Sequence, residues 1–138
     1  MVVLKNITLR QEHLNLILKH AGDNFPLEVC GLIAGSRFSS TAVYPIPNIL
    51  NSSTRFQMDP AKQVSAMFDM EKNGWDLLSI YHSHPHGPEK PSPTDVRECL
   101  YPEVVQIILS KKSNTWRCSG FIISDGNIGK VIISISHE

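Results

Sequence analysis

Cysteine is scarce and unpaired in this sequence. Cys30, Cys99 and Cys118 lie scattered through 138 residues, and no Cys-x-x-Cys pair occurs, which argues against zinc-finger and thioredoxin motifs. Three free thiols fit a reducing compartment, so a cytoplasmic location is expected. Neither sign of charge is in excess, since Lys plus Arg and Asp plus Glu number 13 each. A nucleic-acid binder usually carries a basic stripe. The nearest approach here is Lys111-Lys112, so no nucleic-acid partner is expected. The apolar runs are too short to cross a bilayer, so no membrane partner is expected either. The opening MVVLKNITLR lacks the charged-then-apolar layout of a secretory signal. No repeat, low-complexity tract or domain linker appears. Length and an apolar content of 41% predict one domain over 1–138, with a core large enough to fold without disulfides.

Periodicity supplies the elements. Leu14, Ile17, Leu18 and Ala21 predict a helix over 9–24, stopped at Gly22-Asp23-Asn24. EVCGLIAG at 28–35 reads as a buried strand and 41–46 as a second, followed by a loop rich in Pro and Asn. Asp59-Pro60 opens a helix that runs to Asn73-Gly74. DLLSIYHSH at 76–84 reads as a strand with a polar end. Ser92-Pro93-Thr94-Asp95 starts a further helix, predicted to end near Tyr101-Pro102. Strands at 104–109, 116–124 and 128–136 complete the chain, the last two joined by a hairpin turn at Asp125-Gly126-Asn127. The order α, β, β, α, β, α, β, β, β predicts an α/β (α+β) fold, a mixed sheet flanked by helices.

Half of the six histidines stand in one stretch, IYHSHPHGPEKPSPTD at 80–95. Residues two apart on a strand point the same way, so His82 and His84 project from one face and Ser83 from the other. Two imidazoles on one face suit a metal, and a catalytic zinc site takes three protein ligands and leaves one position open. Asp95 is a candidate third ligand if the loop returns it to the strand end. His86 is a rival, although Pro85 ends the strand before it. Ser92 and Asp95 also make a good capping box without any metal. Among the carboxylates, periodicity alone does not single out Glu28.

His82-Ser83-His84-Pro85, seven residues, Ser92, two residues and Asp95 resemble the JAMM motif of the MPN-domain zinc metallopeptidases, which include deubiquitinases. Glu28 in EVCGLIAG is similar in place and context to the upstream glutamate of that family. The segment PNILNSSTRFQMDP at 47–60 resembles small prokaryotic members. The resemblance implies a three-layer fold related to that of cytidine deaminases, although the Pro-Cys-x-x-Cys motif of deaminases is missing. It implies one zinc ion held by His82, His84 and Asp95, Glu28 as general base and acid, and Ser92 as oxyanion donor. Asn48 and Phe56, in the loop 48–58, would line the substrate groove.

The implied activity is hydrolysis of the bond after the C-terminal glycines of a ubiquitin or ubiquitin-like protein, in a conjugate or a precursor. The alternative is release of cysteine, or another amino acid, from a ubiquitin-like sulfur-carrier protein. A non-catalytic MPN scaffold ranks third, because scaffold members lack the ligands that this chain keeps. The cysteines would be bystanders, and the expected form is a monomer or a homodimer.

Overall fold

The computed structural model describes residues 5–137, so the first four residues of the opening segment and the last residue of the chain lie outside it. The elements run β1 (Lys5–Arg10), α1 (Gln11–Asn24), β2 (Cys30–Ser36), β3 (Ser39–Ile46), α2 (Pro60–Lys72), β4 (Asp76–His84), α3 (Pro93–Arg97), β5 (Val105–Lys112), β6 (Thr115–Ser124) and β7 (Asn127–Ser136). The sheet is mixed, as expected, but it is curled rather than open. Its order is β1-β3-β2-β4-β5-β6-β7, and β1 closes the ring by pairing with β7 and, at Thr8 and Ser39, with β3.

Alternation along β2 shows how two helices share this sheet. Val29, just before the strand, and Ile33 join Ile17 and Ala21 of α1 in one core, with Ile7, Leu9, Tyr81 and Ile107. Cys30, Leu32 and Ala34 face the other way and meet Ala66 and Met70 of α2, with Ile80 and Met58. Near-continuous burial of β2 follows from having a helix on each face. At Gly31 a Cβ would collide with the Tyr81 ring, so the small residue lets β2 and β4 pack closely.

Three expectations are corrected. Residues 5–10 form a strand, and α1 begins at Gln11 rather than at residue 9. Ile7 and Leu9 alternate inward, but the partner that makes them a strand, β7, lies at the far end of the chain. β3 begins at Ser39 rather than at residue 41, and it carries Pro45 opposite Gly31. Beyond Ser39 no further β3 residue is paired with β1 among the described residues, so the missing N–H of Pro45 breaks no ladder on that side. Helix α3 is a single turn that stops at Glu98, well short of Tyr101. Pro102 disfavours a helical conformation at the residue before it. The β6–β7 hairpin is as expected: Asp125 and Gly126 have φ of 51° and 77°, the signature of a two-residue primed turn.

Candidate metal centre and active site

His82 and His84 end β4 on the side facing α2, the side that Ile80 also faces. The following loop turns back at once. Gly87 adopts a positive φ of 72° and its N–H donates to the His84 carbonyl. The turn brings the Pro88 carbonyl to 2.8 Å from His84 Nδ1. Donation from Nδ1 to that carbonyl leaves Nε2 of the neutral ring with its lone pair, facing the site.

The loop then delivers Ser92 and Asp95 as a capping box on α3. Asp95 N–H donates to Ser92 Oγ at 3.0 Å, and Ser92 N–H donates to Asp95 Oδ2 at 2.8 Å. The same Oδ2 lies 3.2 Å from His82 Nε2 and 3.1 Å from His84 Nε2, and the two nitrogens are 3.0 Å apart. Three ligand atoms therefore meet at the corners of a small triangle. A tetrahedral zinc ion with bonds of about 2.0–2.1 Å would set its ligand atoms about 3.3 Å apart, close to this spacing. His82 Nδ1 is buried without a hydrogen-bond partner among the described residues, while its Nε2 faces Asp95 and His84. The group His82, His84 and Asp95 could thus hold a metal ion. His86 stands apart from it, its ring edge-on to Phe25 at 5.6 Å between centroids.

Protonation at this group is divided unevenly. Burial pushes His82 below its usual value and keeps it neutral, against the pull of Asp95. Burial also opposes a charge on His84, but the hydrogen bonds to Asp95 and Pro88 and the nearby carboxylates outweigh it and raise that ring. Burial disfavours the Asp95 anion, yet the two imidazoles and the Ser92 N–H hold its carboxyl well below the ordinary carboxylate range.

Glu28 adjoins this group from the N-terminal end of β2, and backbone contacts hold it there. Its N–H donates to Ser52 O at 2.8 Å, and its carbonyl accepts from Asn48 Nδ2 at 3.1 Å. Ser83 grips the next residue: Val29 N–H donates to Ser83 Oγ at 2.9 Å, and Ser83 N–H donates to Val29 O at 3.0 Å. Glu28 is only 5% exposed. Burial pushes its carboxyl up to about 7, tempered by His84 and reinforced by Asp95. A carboxyl poised near neutrality is suited to taking and returning a proton.

The two residues expected in the groove behave differently. Phe56 stacks on His82, with ring centroids 4.5 Å apart and planes inclined at 26°. With Met58, His82, Asp95, Leu100 and Tyr101 it lines a cavity of about 320 Å³. Asn48 instead commits its amide to the chain, donating to Glu28 O and Arg55 O and accepting from Leu50 N–H and Gln57 N–H. Those four bonds use its full capacity. Sequence reasoning missed Ser52 and the grip of Ser83. The alternation of His82-Ser83-His84 placed Ser83 on the other face, but nothing local indicated its partner 54 residues away. Cys30 lies opposite His82 in register, and burial, with Glu28 adding to it, pushes its thiol up to about 12.

A curled mixed sheet with two strand-end histidines and a helix-capping aspartate defines the JAB/MPN class of domain. The chain belongs to the family of prokaryotic homologues of the JAB domain, which matches residues 10–119. It is 45% identical over 77 residues to a probable TtuB-protein conjugate cleaving protease of Thermus thermophilus; the match covers 55% of this chain and about half, 51%, of that relative. It is 32% identical to a desampylase of Haloferax volcanii over 75% of this chain and 80% of that protein. It is 30% identical to the CysO-cysteine peptidase of Mycobacterium tuberculosis over 96% of this chain and 92% of that protein. A protein of Desulfitobacterium hafniense with a known solution structure superposes with a TM-score of 0.86 at 35% identity, covering 96% of this chain and 94% of that one.

Proposed function

We propose that this chain is a zinc-dependent metallopeptidase that hydrolyses the bond after the C-terminal glycines of a ubiquitin-like protein. The observation that carries the reading is the convergence of His82, His84 and Asp95 beside a buried glutamate whose carboxyl is poised near pH 7. The names of the relatives, a conjugate-cleaving protease among them, support the substrate class. His82 Nε2, His84 Nε2 and Asp95 would hold the ion. When bound, zinc supplies Lewis acidity that makes a water molecule acidic near neutral pH. Glu28 accepts the proton of the attacking water and returns it to the leaving nitrogen. Ser92 Oγ already accepts from Asp95 N–H, so its own O–H remains to donate to the oxygen that becomes negative. Cys30 keeps its proton and takes no part.

The test is a ubiquitin-like precursor extended past its terminal glycines, offered to chelated and to zinc-restored protein. Cleavage that vanishes on chelation and returns with zinc is expected, and cleavage indifferent to both would refute the reading. A second reading, release of cysteine from a sulfur carrier, is favoured by the match to the CysO-cysteine peptidase along nearly the whole chain. Turnover of a carrier–cysteine adduct alone, with a carrier–lysine conjugate left intact, would select it.

A further inference from the structure

A second cavity, of about 340 Å³, reaches Glu28 and shares no lining residue with the first. The first cavity is lined by His82 and Asp95 but not by Glu28, and the second by Glu28 but by none of His82, His84 and Asp95. This division bears on the direction of the substrate, an inference that rests on the reaction proposed above. The carbonyl carbon must lie at the His82–His84–Asp95 group, while the leaving nitrogen must come within reach of Glu28 to receive its proton. The chain beyond that nitrogen then continues to the Glu28 side.

The lining there is polar and built. It includes His20, Asn24 and Asn51 with Pro45 and Pro47, beside Asn48, whose amide is already spent on the chain. Tyr81, fully buried beneath α1, places its hydroxyl 2.7 Å from His20 Nδ1. The buried Tyr81 hydroxyl has no other hydrogen-bond partner among the described residues, so its O–H points at His20 Nδ1 and donates to it. His20 is thereby held as the tautomer with a proton on Nε2, the one group its ring has left to offer. No lysine or arginine lines the cavity among the described residues. The free α-carboxylate of a single amino acid would sit beside Glu28 with no cation to offset it, whereas a peptide carbonyl accepts from neutral donors without that cost.

We infer that this cavity receives the leaving-side polypeptide, with His20 Nε2–H donating to one of its backbone carbonyls, so that the preferred substrate is a protein conjugate rather than a carrier–amino acid adduct. The step itself is the hydrolysis already described; His20 positions the leaving chain.

Binding tests this without turnover. A lysine peptide blocked at both ends is titrated into metal-free protein while the His20 ring ¹⁵N signals and the Asn51 side-chain amide are followed. The peptide is expected to shift both, and free cysteine to bind about tenfold or more weaker. His20→Ala should weaken peptide binding about tenfold in protein that still folds, with a lower thermal midpoint because the buried Tyr81 hydroxyl loses its acceptor, and His20→Gln, which keeps a donor, should recover part of the binding. Unmoved His20 signals, equal binding of free cysteine, or full binding by His20→Ala would each overturn the inference. With zinc-loaded protein, His20→Ala should lower the ratio of kcat/KM for a carrier–lysine peptide conjugate over a carrier–cysteine adduct; an unchanged ratio overturns it. If wild type cleaves neither substrate, the proposed reaction fails, and the peptide titration still decides whether the cavity binds a polypeptide.

Discussion

Burying Glu28 beside Asp95 should make the metal-free protein less stable above neutral pH, and Glu28→Gln should recover that stability. The carboxyl titrates at 4.5 in an unfolded chain and at about 7 in the fold. A folded value above the unfolded one means that the native state binds the extra proton. The contribution is therefore fully present below pH 4.5 and is lost as pH rises through 7. Each unit of difference is worth about 1.4 kcal/mol, so the ionised side chain costs the native state on the order of 3 kcal/mol at pH 8, the attraction to His84 being already contained in the folded value. Gln imitates the protonated form and does not ionise. The assay is urea unfolding of chelator-treated wild type and Glu28→Gln between pH 4.5 and pH 8. The two should be nearly equal at the acid end, with the variant more stable by that amount at pH 8. Asp95 is common to both proteins, and its depressed value acts below 3.8, outside the window. A stability difference that does not change with pH, or a variant no more stable at pH 8, would refute the claim that burial raises this carboxyl.

Other outcomes follow from neighbouring contacts. Cys30→Ala should keep hydrolysis within about twofold while losing roughly 1 kcal/mol of stability, read by progress curves and unfolding; loss of activity in folded protein would give the thiol a role it lacks here. His86→Ala should retain one metal ion per chain by elemental analysis, because the His86 ring packs on Phe25; metal loss would mean that the coordinating group is drawn wrongly. His84 is raised above 6.5 in the metal-free fold, so metal uptake must displace its proton. Zinc affinity measured by competition should fall as pH is lowered through that folded value, and affinity constant from pH 8 to pH 6 would contradict the raised value of His84.

The parts of the site legible in the sequence were those that obey local rules. His82 and His84 follow from strand alternation, and Ser92 and Asp95 from the grammar of a helix start. The structure shows one capping box serving both ends, since the Asp95 oxygen that accepts from Ser92 also faces the two imidazoles. Glu28 needed the family resemblance, because what marks it is burial and the contacts of Ser52 and Asn48, all set by distant chain. The strand at residues 5–10 was illegible for the same reason: alone it is a weak alternation, and its hydrogen bonds go to β7. The Tyr81–His20 pair, 61 residues apart, was hidden because a buried tyrosine reads from sequence only as core.

The most direct measurement is zinc content and cleavage determined on the same preparations of wild type and Glu28→Gln, with a ubiquitin-like conjugate as substrate. One zinc ion is expected in each, with a rate at least about 100-fold lower in the variant. Equal cleavage by the two proteins at equal zinc content would contradict it.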